Sequence, residues 1–200
     1  MIGVLVVVVL ATACIGRQPS GPAAGPSPPS SSSTPPSDHA GWNSYGKPPI
    51  RFAFPDQWHA QRFEFFSEFS SPLVYLSNQP MGQLCFHPQP GTRSCRTWPI
   101  PALPEGGVVL RWTANGFPGW HFSRAKGTET TIDGHRAKVA IGGSSSLCQQ
   151  VGGTPMTVTV ERPGIPDNWY ELDACFNDSS TTDFQSEIST MIGTVHISGH

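Results

Sequence analysis

Two hundred residues carry 12 Lys and Arg against 14 Asp and Glu, for a formal charge of -2, and only 13% of residues are charged. There is therefore no basic field to hold nucleic acid and no acidic block to hold cations. The length allows one ordinary domain plus tails, and the 160 residues from Gly41 onward suffice for a core.

The chain opens on nine consecutive apolar or Gly residues, Ile2 to Leu10. A helix that spans a bilayer needs roughly 20 residues, so this stretch has the length of a signal-peptide core instead. The usual Lys or Arg before it is missing, which a start assigned downstream of the true one would explain. Ala11-Thr12-Ala13 is a small-x-small cleavage site, and Cys14 directly after it resembles a bacterial lipobox, with Ala11 where Leu is usual. Cysteine arithmetic favours lipidation. Five cysteines leave one over after pairing, and Cys14 stands 71 residues from the next, at the position where a thioether to diacylglycerol is made. The expectation is a signal peptide over 1–13, a lipidated Cys14 and tether over 14–40, and a single globular domain over 41–200. Without lipidation the product is a secreted soluble protein.

From Arg17 to Asp38 there are seven Pro, seven Ser and two Gly among 22 residues, with no large apolar side chain to bury. Such a segment cannot offset its ordering entropy. As a tether it reaches about 25 Å as a flexible coil, or up to roughly 70 Å in polyproline II.

Beyond Gly41-Trp42 and Pro48-Pro49, the alternation Ile50, Phe52, Phe54 predicts a strand that Pro55 ends. Trp58, Phe63, Phe65, Phe66 and Phe69 form a second apolar patch that fits helix or strand equally. Further strands are predicted at 73–77, 107–113, 130–132, 136–141, 156–161 and 169–176, with Asp133-Gly134 as a hairpin turn. Near the end, Thr182 and Gln185 have capping-box spacing, and Phe184, Ile188, Met191 and Ile192 follow at helical period. After Gly193, the alternating Val195 and Ile197 suggest a last strand.

The order of these elements is familiar. Phe52-Ala53-Phe54-Pro55-Asp56-Gln57-Trp58, the turn Ile132-Asp133-Gly134-His135-Arg136-Ala137, and a terminal amphipathic helix running into a short strand together resemble the PsbP-like family, found among small actinobacterial lipoproteins. The resemblance implies an α+β fold, an antiparallel sheet packed with helices as an α/β/α sandwich. It also implies a role in binding a protein or lipidic partner, and it carries over no set of functional residues. Gln57 departs from the family, in which Gly often precedes the Trp, and the Pro- and Cys-rich stretch 79–106 has no family counterpart.

The four remaining cysteines allow three pairings. Cys85 with Cys95 and Cys148 with Cys175 close the shortest loops and so cost the least entropy. No Cys-x-x-Cys occurs and export favours oxidation, so disulfides are expected rather than a metal. Seven histidines are scattered, without a His-Glu-x-x-His grouping, and there is no Gly-x-Ser-x-Gly nucleophile turn. Gly142 to Ser146 reads as a flexible loop. No catalytic residue, cofactor or metal site is expected, although Glu64, Glu68, Glu161, Glu171 and Asp173 could converge in the fold as paired carboxylates. Large aromatics cluster around two turns: Trp112, Phe117 and Trp120 about the first, Trp169 and Tyr170 at the second. They either cap the core or form a binding surface for a protein or hydrophobic ligand. The expectation is thus a non-enzymatic binding or scaffolding lipoprotein on the outer face of the cell membrane. An envelope hydrolase whose site forms only in the fold is the alternative.

Overall fold

The computed structural model describes residues 41–63, 68–86, 89–143, 145–162, 164–179 and 183–198. The leader, Cys14, the tether, Glu64, Phe65, Phe66, His87 and Thr182 lie outside the described residues. Among those described, the architecture is mostly antiparallel β with few helices and two disulfides.

β1 (Trp42–Lys47) and β2 (Ile50–Pro55) pair across Pro48-Pro49, and β12 (His196–Ile197) adds to the other edge of β2. The large sheet has seven strands. In spatial order they are β3 (His59–Gln61), β4 (Ser70–Ser77), β7 (Gly107–Gly116), β11 (Asn168–Asn177), β10 (Thr154–Glu161), β9 (His135–Ile141) and β8 (Thr128–Ile132). A short ribbon, β5 (Cys85–Phe86) with β6 (Ser94–Cys95), is bridged by the Cys85–Cys95 disulfide. Strands β8 and β9 meet at the anticipated turn, with Asp133 and Gly134 both at positive φ, 48° and 77°. A two-residue hairpin turn of this kind matches the twist of its strands.

Alternation gives the large sheet two different faces. Val108, Leu110, Trp112, Val158, Val160, Tyr170, Leu172 and Phe176 point to the first, where they pack on Ile50, Phe52 and Phe54 of β2 and on α2 (Phe184–Gly193). Burying each such side chain contributes about 1.5–3 kcal/mol, so this layer dominates stability. Helix α2 presents the predicted Phe184, Ile188, Met191 and Ile192 to that core. Its cap is Asp183, whose carboxylate accepts from Ser186 N at 3.0 Å. At its other end, the Thr194 hydroxyl accepts from Ala53 N (2.8 Å) and donates to Met191 O (2.7 Å), fixing the helix to β2. Asp133 in the hairpin turn accepts from Ile197 N at 2.6 Å, which joins β8 and β9 to β12.

The second face departs from the expected helical layer. Leu84, Trp98, Ile100, Leu103, Cys148 and Val151 cover it together with Tyr75, Val109 and Cys175 from the sheet. They come from the stretch 79–106 and from the segment containing α1 (Ser146–Gln149), and the Cys148–Cys175 disulfide ties the latter to β11. Pro80, Pro90, Pro99, Pro101 and Pro104 explain why the described residues of 79–106 form no helix, since each removes a backbone donor and obstructs the preceding turn. The segment 142–146, expected as a flexible loop, leads into α1 with Ser145 as its cap.

Candidate functional site

The two aromatic turns lie together at one end of the large sheet. Phe117 N donates to Asp167 O at 3.1 Å, and Gly116 N donates to Phe69 O at 2.9 Å, so the connections after β7 and β10 and the start of β4 form one surface. Phe117 is 55% exposed and Phe69 43%, with ring centroids 5.2 Å apart, and Ile165, in the turn whose Asp167 carbonyl accepts from Phe117 N, is 36% exposed. Two clefts flank the 164–168 turn. One, of about 680 Å³, is bordered by His121, His135, Arg136, Glu161 and Arg162; the other, of about 520 Å³, by Glu68, Phe69, Asn115, Phe117 and Arg162.

The five aromatics singled out from sequence divide three ways. Trp112 and Tyr170 belong to the core, 0% and 1% exposed, because their places in β7 and β11 point to the apolar face; they form no part of a surface. Trp120 and Trp169 are half-buried and stack on each other, with centroids 4.2 Å apart and planes 14° apart. Phe117 alone of the five is largely exposed, and its partner is Phe69, from the apolar patch whose periodicity fits helix or strand equally.

The second face of the sheet carries ordered rows of polar groups beyond its apolar cover. One row runs from Tyr75 to Arg111, Asp173, Thr157 and Ala140, and the next from Thr113 to Glu171, Thr159, Lys138 and Glu129. Arg111 donates through Nε and Nη2 to Asp173 Oδ2 at 3.1 and 3.0 Å, and its guanidinium lies 5.4 Å from the Trp98 ring centre. Lys138 is buried, and its ammonium donates to Ala125 O at 2.9 Å while lying over Phe122. Trp169 Nε1 donates to Glu171 Oε2 at 3.0 Å.

Of the carboxylates that could have paired, Glu64 lies outside the described residues and Glu68 sits at the end surface. Glu161, Glu171 and Asp173 do share the second face. Asp173 is taken up by Arg111, and Glu161 lies 3.7 Å from Arg136. Burial pushes the Asp173 carboxyl above the usual range, with Arg111 pulling it back. Glu171 is likewise raised, first by burial and then by the Asp173 charge, against the Trp169 hydrogen bond and Arg111. A carboxyl with a raised folded value binds more protons folded than unfolded. Its contribution is therefore favourable at acid pH and is lost as pH rises from the ordinary carboxylate range through the folded value. Glu171→Gln, which keeps the Trp169 bond, is expected to flatten that decline and to be the more stable protein at neutral pH. Urea midpoints measured across that range check it, and a wild-type decline that the variant reproduces in full would contradict it.

No family model matches the chain, and neither does a curated protein or a solved structure.

Proposed function

We propose that the protein is an exported lipoprotein of the cell envelope, tethered through Cys14, whose domain is a non-catalytic binding module that engages a protein partner through its end surface. The observation that carries this reading is the concentration of exposed apolar side chains there: Phe69, Phe117 and Ile165 are three of five exposed large hydrophobics among the described residues, and they adjoin one another's turns. Exposed aromatic anchors beside fixed charges are what protein interfaces use. Arg136, Arg162, Glu161 and Asp167 mix both signs around two solvent-open clefts, which suits a protein segment better than a uniformly apolar ligand. The two disulfides agree with an oxidising, exported setting. The aromatic strand ending in Pro and Trp, the Asp-Gly hairpin and the terminal helix support a relation to PsbP-like domains as part of the same proposal.

Two measurements test the reading. Full-length protein should enter the detergent phase and Cys14→Ser should not; equal partitioning would remove the anchor. A photo-crosslinking residue at position 117 in intact envelopes should capture a discrete protein, and capture should fall about tenfold when Phe69→Ala is added. The same probe at position 141, also exposed but at the far end of β9, should capture nothing comparable. Equal yields from both positions would rule out the end surface.

A further inference from the structure

A cavity of about 400 Å³ lies over the second face of the sheet and shares only Trp120 with the end-surface clefts. Its floor is Thr157, Thr159 and Glu171, neighbours on β10 and β11, and its walls include Trp120, Lys126, Ala140 and Leu147. Both side walls are fastened. On one side Lys138 holds the Ala125 carbonyl, and Gly127, at φ 112°, brings its backbone so close to the Val139 carbonyl that a Cβ could not fit. On the other side Trp98 Nε1 donates to Leu147 O at 2.9 Å, and the next residue, Cys148, is bonded to Cys175.

The floor holds polar groups that the protein does not use. Trp169 takes one Glu171 oxygen; the other, and the hydroxyls of Thr157 and Thr159, have no hydrogen-bond partner among the described residues. None of these oxygens is sealed from solvent, so water meets them and the hydroxyls of a ligand can take its place. Cross-strand neighbours stand about 4.5–5.5 Å apart, a separation that adjacent hydroxyls on one small ring can bridge. We propose that this cavity is a binding site for a small, uncharged, polyhydroxylated ligand about the size of one or two sugar residues, held by Glu171, Thr157 and Thr159 against Trp120. Glu171 disfavours an anion, and Lys126 on the wall disfavours a cation. Arg111 and Lys138 are engaged by Asp173 and the Ala125 carbonyl and add no call for a charged ligand. The apolar ring of Trp120 suits the C–H face of a sugar.

The test titrates the full chain with glucose, N-acetylglucosamine and maltose, followed by tryptophan fluorescence and saturation-transfer NMR, with lysine and acetate as charged controls. Saturable binding of at least one sugar is expected. Thr159→Val should weaken it about tenfold, Ala140→Leu, which fills the cavity, should abolish it, and Phe117→Ala should leave it unchanged. Near-UV circular dichroism confirms that each variant is folded; if Ala140→Leu is not, Thr159→Val decides. The proposal is overturned if none of the sugars saturates, if only lysine or acetate binds, or if a sugar binds a folded Thr159→Val or Ala140→Leu protein as it binds the wild type. The end-surface reading stands or falls separately, because Phe117 is absent from this cavity.

Discussion

Arg111→Ala is expected to lower the unfolding free energy by about 3–5 kcal/mol, the range for removing one partner of a buried ion pair. Arg111 and Asp173 are 18% and 7% exposed at their side chains, joined at 3.0 Å, and set in adjacent strands at the middle of the large sheet. The penalty comes less from the lost attraction than from leaving Asp173 charged and unpaired. The guanidinium also lies over Trp98 and is the cross-strand neighbour of Tyr75, so alanine removes support from the second core as well. Two controls separate these causes. Asp173→Asn should lose less than Arg111→Ala at neutral pH, since the amide oxygen at position 173 can still accept from the guanidinium, whose charge stays beside Glu171. In Arg111→Ala the Asp173 carboxyl rises further, its proton is held more tightly folded than unfolded, and the deficit should shrink as pH falls. Urea midpoints at neutral and acid pH measure both; a loss below about 1 kcal/mol, the same at each pH, would mean that the pair behaves as a surface contact.

That pair shows what the sequence could and could not disclose. Strands β2, β7, β9, β10 and β11 and helix α2 were readable because one face of each is continuously apolar, which leaves a period of two or 3.6 in the chain. The Asp-Gly turn was readable because few residue pairs accept positive φ twice in succession. The second face was harder. Its cover comes from proline-broken segments without period, so a helical layer was expected where the chain places irregular structure and disulfides. A signal did exist: Arg111 stands between Leu110 and Trp112, and Asp173 between Leu172 and Ala174, one charge of each sign at out-of-phase positions of two core strands. Opposite charges placed so are candidates for a buried pair. The end surface is legible in part, because both aromatic turns stand out in the chain. Which of their rings face solvent depends on strand register, and that put Trp112 and Tyr170 inside while leaving Phe117 to meet Phe69. The polar floor over Glu171 arises from residues on two strands with no shared motif, so only pairing brings it together.

Removing the Cys148–Cys175 bridge, as Cys148→Ala with Cys175→Ala, is expected to destabilise the domain by about 2–5 kcal/mol. The corresponding Cys85 and Cys95 variant should lose less. In the loop-entropy account, separations of 27 and 10 residues differ by about 0.9 kcal/mol in favour of the longer loop. Burial adds in the same direction: Cys148 and Cys175 are 4% and 0% exposed within the second core, whereas Cys85 and Cys95 are half-buried on a peripheral ribbon. The consequences should differ in kind as well. Without its bridge to β11, the 145–152 segment keeps the Trp98 contact to Leu147 and the Leu103 N–H to the Val151 carbonyl, but loses its covalent tie to the strand that carries Glu171. Sugar binding at the second face should therefore weaken along with stability, while crosslinking from position 117 should persist wherever the protein remains folded. Opening the Cys85–Cys95 ribbon should leave both intact. Equal urea midpoints for the two cysteine-pair variants, or a larger loss in the Cys85 and Cys95 variant, would show that neither the loop each bridge closes nor the core it enters determines its contribution.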